Sequence, residues 1–228
     1  MTPYRPPPWL PNGHAQTLYP LLIRPQPLTW KRQRWTTPDD DFIDLDWHEA
    51  DANSGVQSDL LPLLILFHGL EGSSRSHYAT TLLRAAAGVG WSGVVVNFRG
   101  CSGEINRLPR AYHSGDSDEI DWILGRLRQR FPFRPLYAVG VSLGGNALLK
   151  WLGERGLSGS AYLRAAAAIS APVDLSACGH HLGRGFNRVY SRHFLHTLKR
   201  KAAQKLRRYP GLFDERRMRA AASLYEFD

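Results

Sequence analysis

The sequence predicts an α/β protein with a mainly parallel sheet, and three observations carry that prediction. Apolar strand-like runs alternate with helical stretches from about residue 60 to residue 173. The run at 60–67 is continuous rather than alternating, as a strand covered on both faces must be, and 93–98 and 136–139 also read as buried strands. The third observation is local. Gly140-Val141-Ser142-Leu143-Gly144 matches G-x-S-x-G, with a strand at 136–139 before it and a helix at 146–152 after it.

The elements follow in order. Residues 1–28 are proline-rich and predict an irregular arm packed across a surface, anchored by Trp9, Leu10, Leu18 and Tyr19. Residues 31–37 and 42–48 alternate in strand fashion around Pro38-Asp39-Asp40-Asp41, which predicts an antiparallel hairpin. A polar loop at 51–59 precedes the buried strand 60–67. The stretch HGLEGSSRSHY (68–78) then leads into a helix at 79–87, and strand 93–98 runs into RGCSG (99–103). A helix is predicted over 116–130, where Ile120, Ile123, Leu124 and Leu127 fall at helical spacing. A further strand is expected at 165–173.

Beyond that strand the alternation stops. Residues 174–185 read as a loop, 190–208 as a helix and 210–228 as another short helix. In the long helix Leu195, Leu198, Ala202 and Leu206 mark one face. Lys199, Arg200, Lys201, Lys205, Arg207 and Arg208 cover the rest.

Composition narrows the function classes. A chain of 228 residues suits one domain and can bury a sizeable core. Cys101 and Cys178 are too few for a disulfide framework and fit a reducing cytosol. No secretory signal and no membrane-length apolar run is visible, so a cytoplasmic protein is expected. The net charge of +9 is local: residues 184–219 hold 12 Lys/Arg against 2 Asp/Glu. That stretch lacks interleaved aromatics, so a nucleic-acid partner is not expected. A solvated helix face is the default reading, and peripheral contact with acidic lipid or an anionic acyl donor is the sharper one. Gly88-Val-Gly-Trp-Ser-Gly93 satisfies G-x-G-x-x-G but precedes its strand, which excludes a dinucleotide fingerprint. Cys178, His180, His181, His193 and His196 fit no zinc spacing. No cofactor and no metal is called for.

The chemistry centres on Ser142. On a sharp strand-to-helix turn it sits in strained backbone space, which explains the flanking glycines. The turn lifts its hydroxyl clear of the sheet at the positive end of a helix, where the Leu143 N–H can face a developing oxyanion. His68-Gly69-Leu70, at the end of an earlier strand, supplies the second donor through the Leu70 N–H.

With these residues in hand, the sequence resembles the YheT-like α/β-hydrolases over essentially its whole length. The resembling stretches are PWLPNGHAQTL (8–18), FHGLEGSS (67–74), NFRGCSGE (97–104), NRLPRAYHSG (106–115) and GVSLGGN (140–146). The resemblance implies an α/β-hydrolase fold with helices on both faces of the sheet. It implies a serine esterase acting on carboxylic esters, of small molecules or lipids, through an acyl-enzyme on Ser142. Water, or an alcohol in an acyltransferase variant, would resolve that intermediate. One departure stands against it: the family's acid and histidine follow the serine on loops after later strands, and neither motif occurs in the 86 residues after Ser142. Asp174 with His180 or His181 could in principle substitute, and a base within this chain would otherwise have to come from His193 or His196. The expectation is therefore an arm (1–28) and a hydrolase domain (29–228) with a cap-like helical segment at 176–222. The fold would lack its C-terminal strands, and the chain as given would be nearly inactive. The rival reading is a non-catalytic binding module of the same fold. The oligomeric state is not legible.

Overall fold

Strands β1 (Lys31–Thr36) and β2 (Phe42–His48) form the expected antiparallel hairpin, with Arg32 opposite Asp46 and Arg34 opposite Asp44. Strands β3 (Leu63–Phe67), β4 (Ser92–Asn97), β5 (Leu136–Val141) and β6 (Ala165–Ile169) follow, and each pairing among these four is parallel. The single sheet has the order β1-β2-β4-β3-β5-β6. The computed structural model describes residues 4–23, 28–49 and 60–228, so the polar loop expected at 51–59 lies outside the described residues.

Successive residues of a strand face opposite sides of the sheet, so a strand covered on both sides needs apolar residues throughout. Leu63, Ile65 and Phe67 join the larger core with helices α3 (Ser117–Arg130) and α4 (Leu143–Arg155), through Ile120, Ile123, Leu124, Leu127, Ala147 and Trp151. Leu64 and Leu66 face the other way, onto Ala79, Leu83 and Ala86 of helix α2 (His77–Gly88). Each fully buried leucine contributes about 1.5–3 kcal/mol relative to an exposed one. After β4 the chain crosses β3 and continues as β5 on its far side. The strand order reverses there, and open α/β sheets place their sites at the carboxyl ends beside such a reversal.

Three expectations are corrected. The arm is not irregular throughout: α1 (Gly13–Leu22) is helical, its N-terminus capped by Asn12 accepting from the Ala15 N–H at 2.9 Å. Pro20 lies in its final turn, where only the bond to the Gln16 carbonyl is forfeited. The strand expected at 165–173 ends at Ile169, because Ser170 turns into the left-handed region at φ 50° and Pro172 follows. The loop expected at 174–185 contains helix α5 (Leu175–Leu182), capped by Asp174 accepting from the Ala177 N–H at 2.8 Å.

Helix α6 (Arg188–Arg208) is longer than expected at its start, and α7 (Glu215–Ala220) and α8 (Leu224–Phe227) replace the single terminal helix. The basic side chains of α6 are not all solvent-facing. Lys205 is buried, donating to the Asn106 and Leu108 carbonyls. Lys199 donates to the carbonyls of Arg219 and Ala221. Leu195 is buried, while Leu198, Ala202 and Leu206 are half-buried.

Candidate active site

Ser142 is the single residue between β5 and α4, with φ 52° and ψ −118°. A side-chain-bearing residue held there stores about 1–3 kcal/mol, which the surrounding packing must impose. Two contacts impose it. The Ser142 N–H donates to the Ile169 carbonyl of β6 at 2.8 Å, and its own carbonyl accepts from the Asn146 N–H at 2.9 Å. The flanking glycines make room. A Cβ on Gly140 would lie 2.5 Å from the Gly144 carbonyl oxygen, and one on Gly144 would overlap the Phe67 and His68 carbonyls. Gly144 thereby seats the start of α4 on the end of β3.

The loop after β3 lies against this turn. A Cβ on Gly69 would stand 3.2 Å from the Ser142 Cβ. A Gly72 N–H to Gly69 carbonyl bond of 2.9 Å closes a β-turn with Leu70 and Glu71 at its centre. Glu71 is left-handed at φ 54°. Hydroxyls hold the turn from outside: Gly69 N–H donates to Tyr78 Oη at 2.9 Å, and Glu71 N–H to Tyr112 Oη at 2.7 Å. The N–H groups of Leu70 and Leu143 donate to no described residue.

His68 is not a base in waiting. Its Nε2 accepts from the Phe98 N–H at 3.1 Å, which leaves the proton on Nδ1 to donate to the Gly69 carbonyl at 2.8 Å. Burial holds its pKa down to about 4. The ring is a neutral pin between the ends of β3 and β4.

Most of the other motif residues build a buried polar frame. Arg99 bonds Glu119 at 2.6 Å, Asp39 at 2.9 Å and Asp41 at 3.1 Å. Burial opposes ionisation of Asp41, yet Asn106 and the backbone N–H groups of Arg107, Phe42 and Leu108 hold its carboxyl below the usual range. Asp46 accepts from Arg32 twice, at 2.7 and 2.8 Å, from Ser74 Oγ at 2.5 Å and from Asn97 at 2.9 Å. The hairpin, the ends of β3 and β4 with their loops, and segment 106–110 are thereby locked together.

No base is assembled. The Ser142 hydroxyl has no hydrogen-bond partner among the described residues. Asp174 is used as a helix cap and His180 bonds the Ser176 carbonyl of its own helix at 2.7 Å, so that pair is not brought together. His193 packs on its neighbour Phe194. Tyr78 and Tyr112 hold the turn without having been singled out by the sequence, whereas Lys201 lies on the basic helix expected as the cap. Tyr112 lies inside the quoted 106–115 stretch, which was the available signal. A cavity lined by Lys31, Trp47, Ser92, Arg130 and Arg134 lies at the opposite, amino ends of the parallel strands, away from Ser142.

A strand-reversal sheet with a strained serine between strand and helix defines the α/β-hydrolase class, and the chain belongs to it. The model of the family described as "alpha/beta hydrolase fold" matches residues 62–220. The relatives are YheT-like. "Putative esterase YheT" of Escherichia coli (strain K12) is 45% identical over 95% of this chain and 63% of its own length. Phospholipase ABHD3 of Homo sapiens is 29% identical over 99% of this chain and 55% of its own. The chain thus spans roughly half to just under two-thirds of these relatives. Among solved structures, Est1E from Butyrivibrio proteoclasticus superposes with a TM-score of 0.54 at 14% identity, covering 68% of this chain and 59% of that one. The serine hydrolase XC6422 from Xanthomonas campestris gives 0.51 at 19% identity, covering 66% of each. Both likenesses concern the fold. No helix among the described residues is long and apolar enough to cross a membrane.

Proposed function

We propose that this chain carries the nucleophile and oxyanion half of a carboxylic ester hydrolase. Ser142 attacks the ester carbonyl, and the Leu70 and Leu143 N–H groups receive the oxyanion. The observation that carries the reading is the pairing of a strained, unpartnered serine with two unspent backbone donors on adjoining turns. The general base is a histidine oriented by a carboxylate, and no described ring bonds the Ser142 hydroxyl. Lipid or short- to medium-chain acyl esters are the substrate class. Relatives named for a phospholipase, a monoacylglycerol lipase and a medium-chain fatty acid ethyl ester synthase/esterase support that choice. The helices after β6 form the cap over this end of the sheet. A cytoplasmic location fits the sequence.

The test separates nucleophile from turnover. Residues 1–228 should hydrolyse a short-chain p-nitrophenyl ester poorly, because losing a triad member costs on the order of 10⁴–10⁶ in kcat. A fluorophosphonate should still label Ser142 slowly, faster with added imidazole, and not label Ser142→Ala. Labelling that is the same in Ser142→Ala defeats the nucleophile assignment. Brisk ester turnover that vanishes in Ser142→Ala would instead refute the missing base.

A further inference from the structure

Glu71 occupies a position that its backbone conformation does not favour. The third residue of the Gly69–Gly72 turn is left-handed, where glycine or asparagine costs least and other residues cost about 1–2 kcal/mol. Its carboxylate, 5% exposed, has partners that explain its presence. Oε1 accepts from Tyr112 Oη at 2.9 Å and from Lys201 Nζ at 2.7 Å, and the Lys201 side chain is 23% exposed. Lys201 comes from α6, 130 residues away in sequence. The same ammonium lies 3.3 Å from Cys101 Sγ and 5.8 Å from the Tyr112 ring centre. Tyr112 in turn stacks on Phe98, 5.5 Å between centroids. The chain of contacts runs from α6 through Lys201 and Glu71 to Leu70 and Gly69, and so to the Ser142 turn.

We infer that Lys201 and Glu71 form a latch by which the basic helix α6 positions the oxyanion loop, closed over Cys101. Lys201 is a positioning residue: it touches no reacting atom and acts on the Leu70 N–H through Glu71. The inference rests on the assignment of Leu70 to the oxyanion hole, but the latch itself exists or fails independently of any ester chemistry. A half-buried ion pair anchored by a tyrosine hydroxyl retains strength that an exposed pair would lose to solvent. The lysine's cost of burial is offset by the same carboxylate that fixes the turn. Lys205 grips the Asn106 and Leu108 carbonyls one turn later, and Arg208 donates to the Asn106 and Arg107 carbonyls beyond it. Of these contacts, Lys201–Glu71 is the one that reaches the oxyanion loop.

Cys101 reports the state of the latch. It is buried, and burial raises its thiol pKa to about 11 despite the nearby Lys201 charge. Removing Lys201 has opposite effects under the two accounts of its role. As a mere charge it stabilises the thiolate, so its loss slows alkylation. As a latch it shields the sulfur, so its loss speeds alkylation.

The experiment uses the 228-residue chain with Cys178→Ala as background. Alkylation of Cys101 by N-ethylmaleimide and amide exchange over segment 68–73 are followed by mass spectrometry. Lys201→Met and Glu71→Gln should each raise the alkylation rate at least tenfold and speed exchange in that segment. The double variant should do no more than either single one, and Lys201→Arg should restore protection. Glu71→Gly guards against a folding artefact, since it relieves the backbone strain while cutting the latch. It should keep or raise the melting temperature and still expose Cys101. Unchanged or slower alkylation in Lys201→Met, additive effects in the double variant, or exchange at 68–73 that does not respond would each overturn the latch. Loss of Ser142 labelling in the parent chain would overturn only the hydrolase reading, because neither readout here uses Ser142.

Discussion

Strands β2 and β6 invert what their sequences suggest. β2 reads FIDLDWH and carries two carboxylates, yet Asp44 and Asp46 are each 1% exposed. β6 reads AAAAI and carries no polar side chain, yet all five residues are exposed. Hydropathy alone would exchange them. What separates them is partners. β2 lies between β1 and β4, so its apolar face meets the α3–α4 core. Its acidic face meets Arg32 and Arg34 directly across the strand pair, with Ser74 from the loop after β3 and Asn97 at the end of β4. Every charge there has two or more donors, which is the condition under which burial of a charge is tolerated. β6 is an edge strand, paired among the described residues on one side only.

The contrast predicts its own hardest break. If buried carboxylates such as those of β2, and those that Arg99 meets in the hairpin turn and α3, are tolerated only because cations meet them, removing one cation should be far more damaging than its surface-like chemistry implies. Arg99→Met leaves Glu119 with no donor, and weakens Asp39 and Asp41 as well. Stranding buried carboxylates should cost about 3–5 kcal/mol. Urea unfolding monitored by tryptophan fluorescence measures it. A loss below about 1 kcal/mol would mean that the frame's hydrogen bonds, not its charge pairing, hold the hairpin.

A second test uses pH. His68 has a folded pKa of about 4, below its unfolded value near 6.5. Above pH 6.5 both states hold it neutral. As pH falls from 6.5 toward 4 the unfolded chain gains a proton that the folded chain refuses, so stability falls by about 3 kcal/mol. His77, also lowered by burial, adds to the same window. The frame's carboxylates enter later. Asp41, Asp44 and Asp46 are held below the ordinary carboxylate range, burial notwithstanding, so their contribution is lost only as pH drops below about 4. Stability curves at pH 7, 5.5 and 4.5 should show most of the first loss vanish in His68→Gln. An unaltered acid limb would place the titrating group elsewhere.

Much of this architecture is legible in the residues. Short apolar runs gave away β3, β4 and β5, and a serine between paired glycines gave away the turn at 142. The hairpin was readable from alternation, but the meaning of Asp44 and Asp46 was not, because the partners depend on register. A one-residue slip would send both carboxylates to the other face. The basic helix misled for a related reason. Lys201 and Lys205 look like solvated charge on any helical projection, and their partners are a glutamate and backbone carbonyls about 100 or more residues away. A carbonyl acceptor leaves no mark in sequence. Lys199 and Lys201 are already engaged, so among the three consecutive cations at 199–201 only Arg200 has no partner among the described residues.

The smallest expected effect lies on β6, and it tests the other side of the contrast. Register sets Ile169 beside Val141, and Ala165 beside Tyr137, so these residues share the sheet face where Tyr137, Val139 and Val141 are only partly buried. Ile169 is 40% exposed, and its carbonyl, not its side chain, holds the Ser142 N–H. Replacing the side chain therefore removes little packing and no hydrogen bond. Ile169→Lys should change the unfolding free energy by no more than about 0.5 kcal/mol. Its effect on association should be larger, because an apolar edge strand with unpaired backbone groups is a template for another strand, and an edge lysine blocks that pairing. Sedimentation of the parent chain should show concentration-dependent self-association that Ile169→Lys reduces. A destabilisation above about 1.5 kcal/mol with no change in association would show that β6 is covered in solution, and the inversion between the two strands would then be lost.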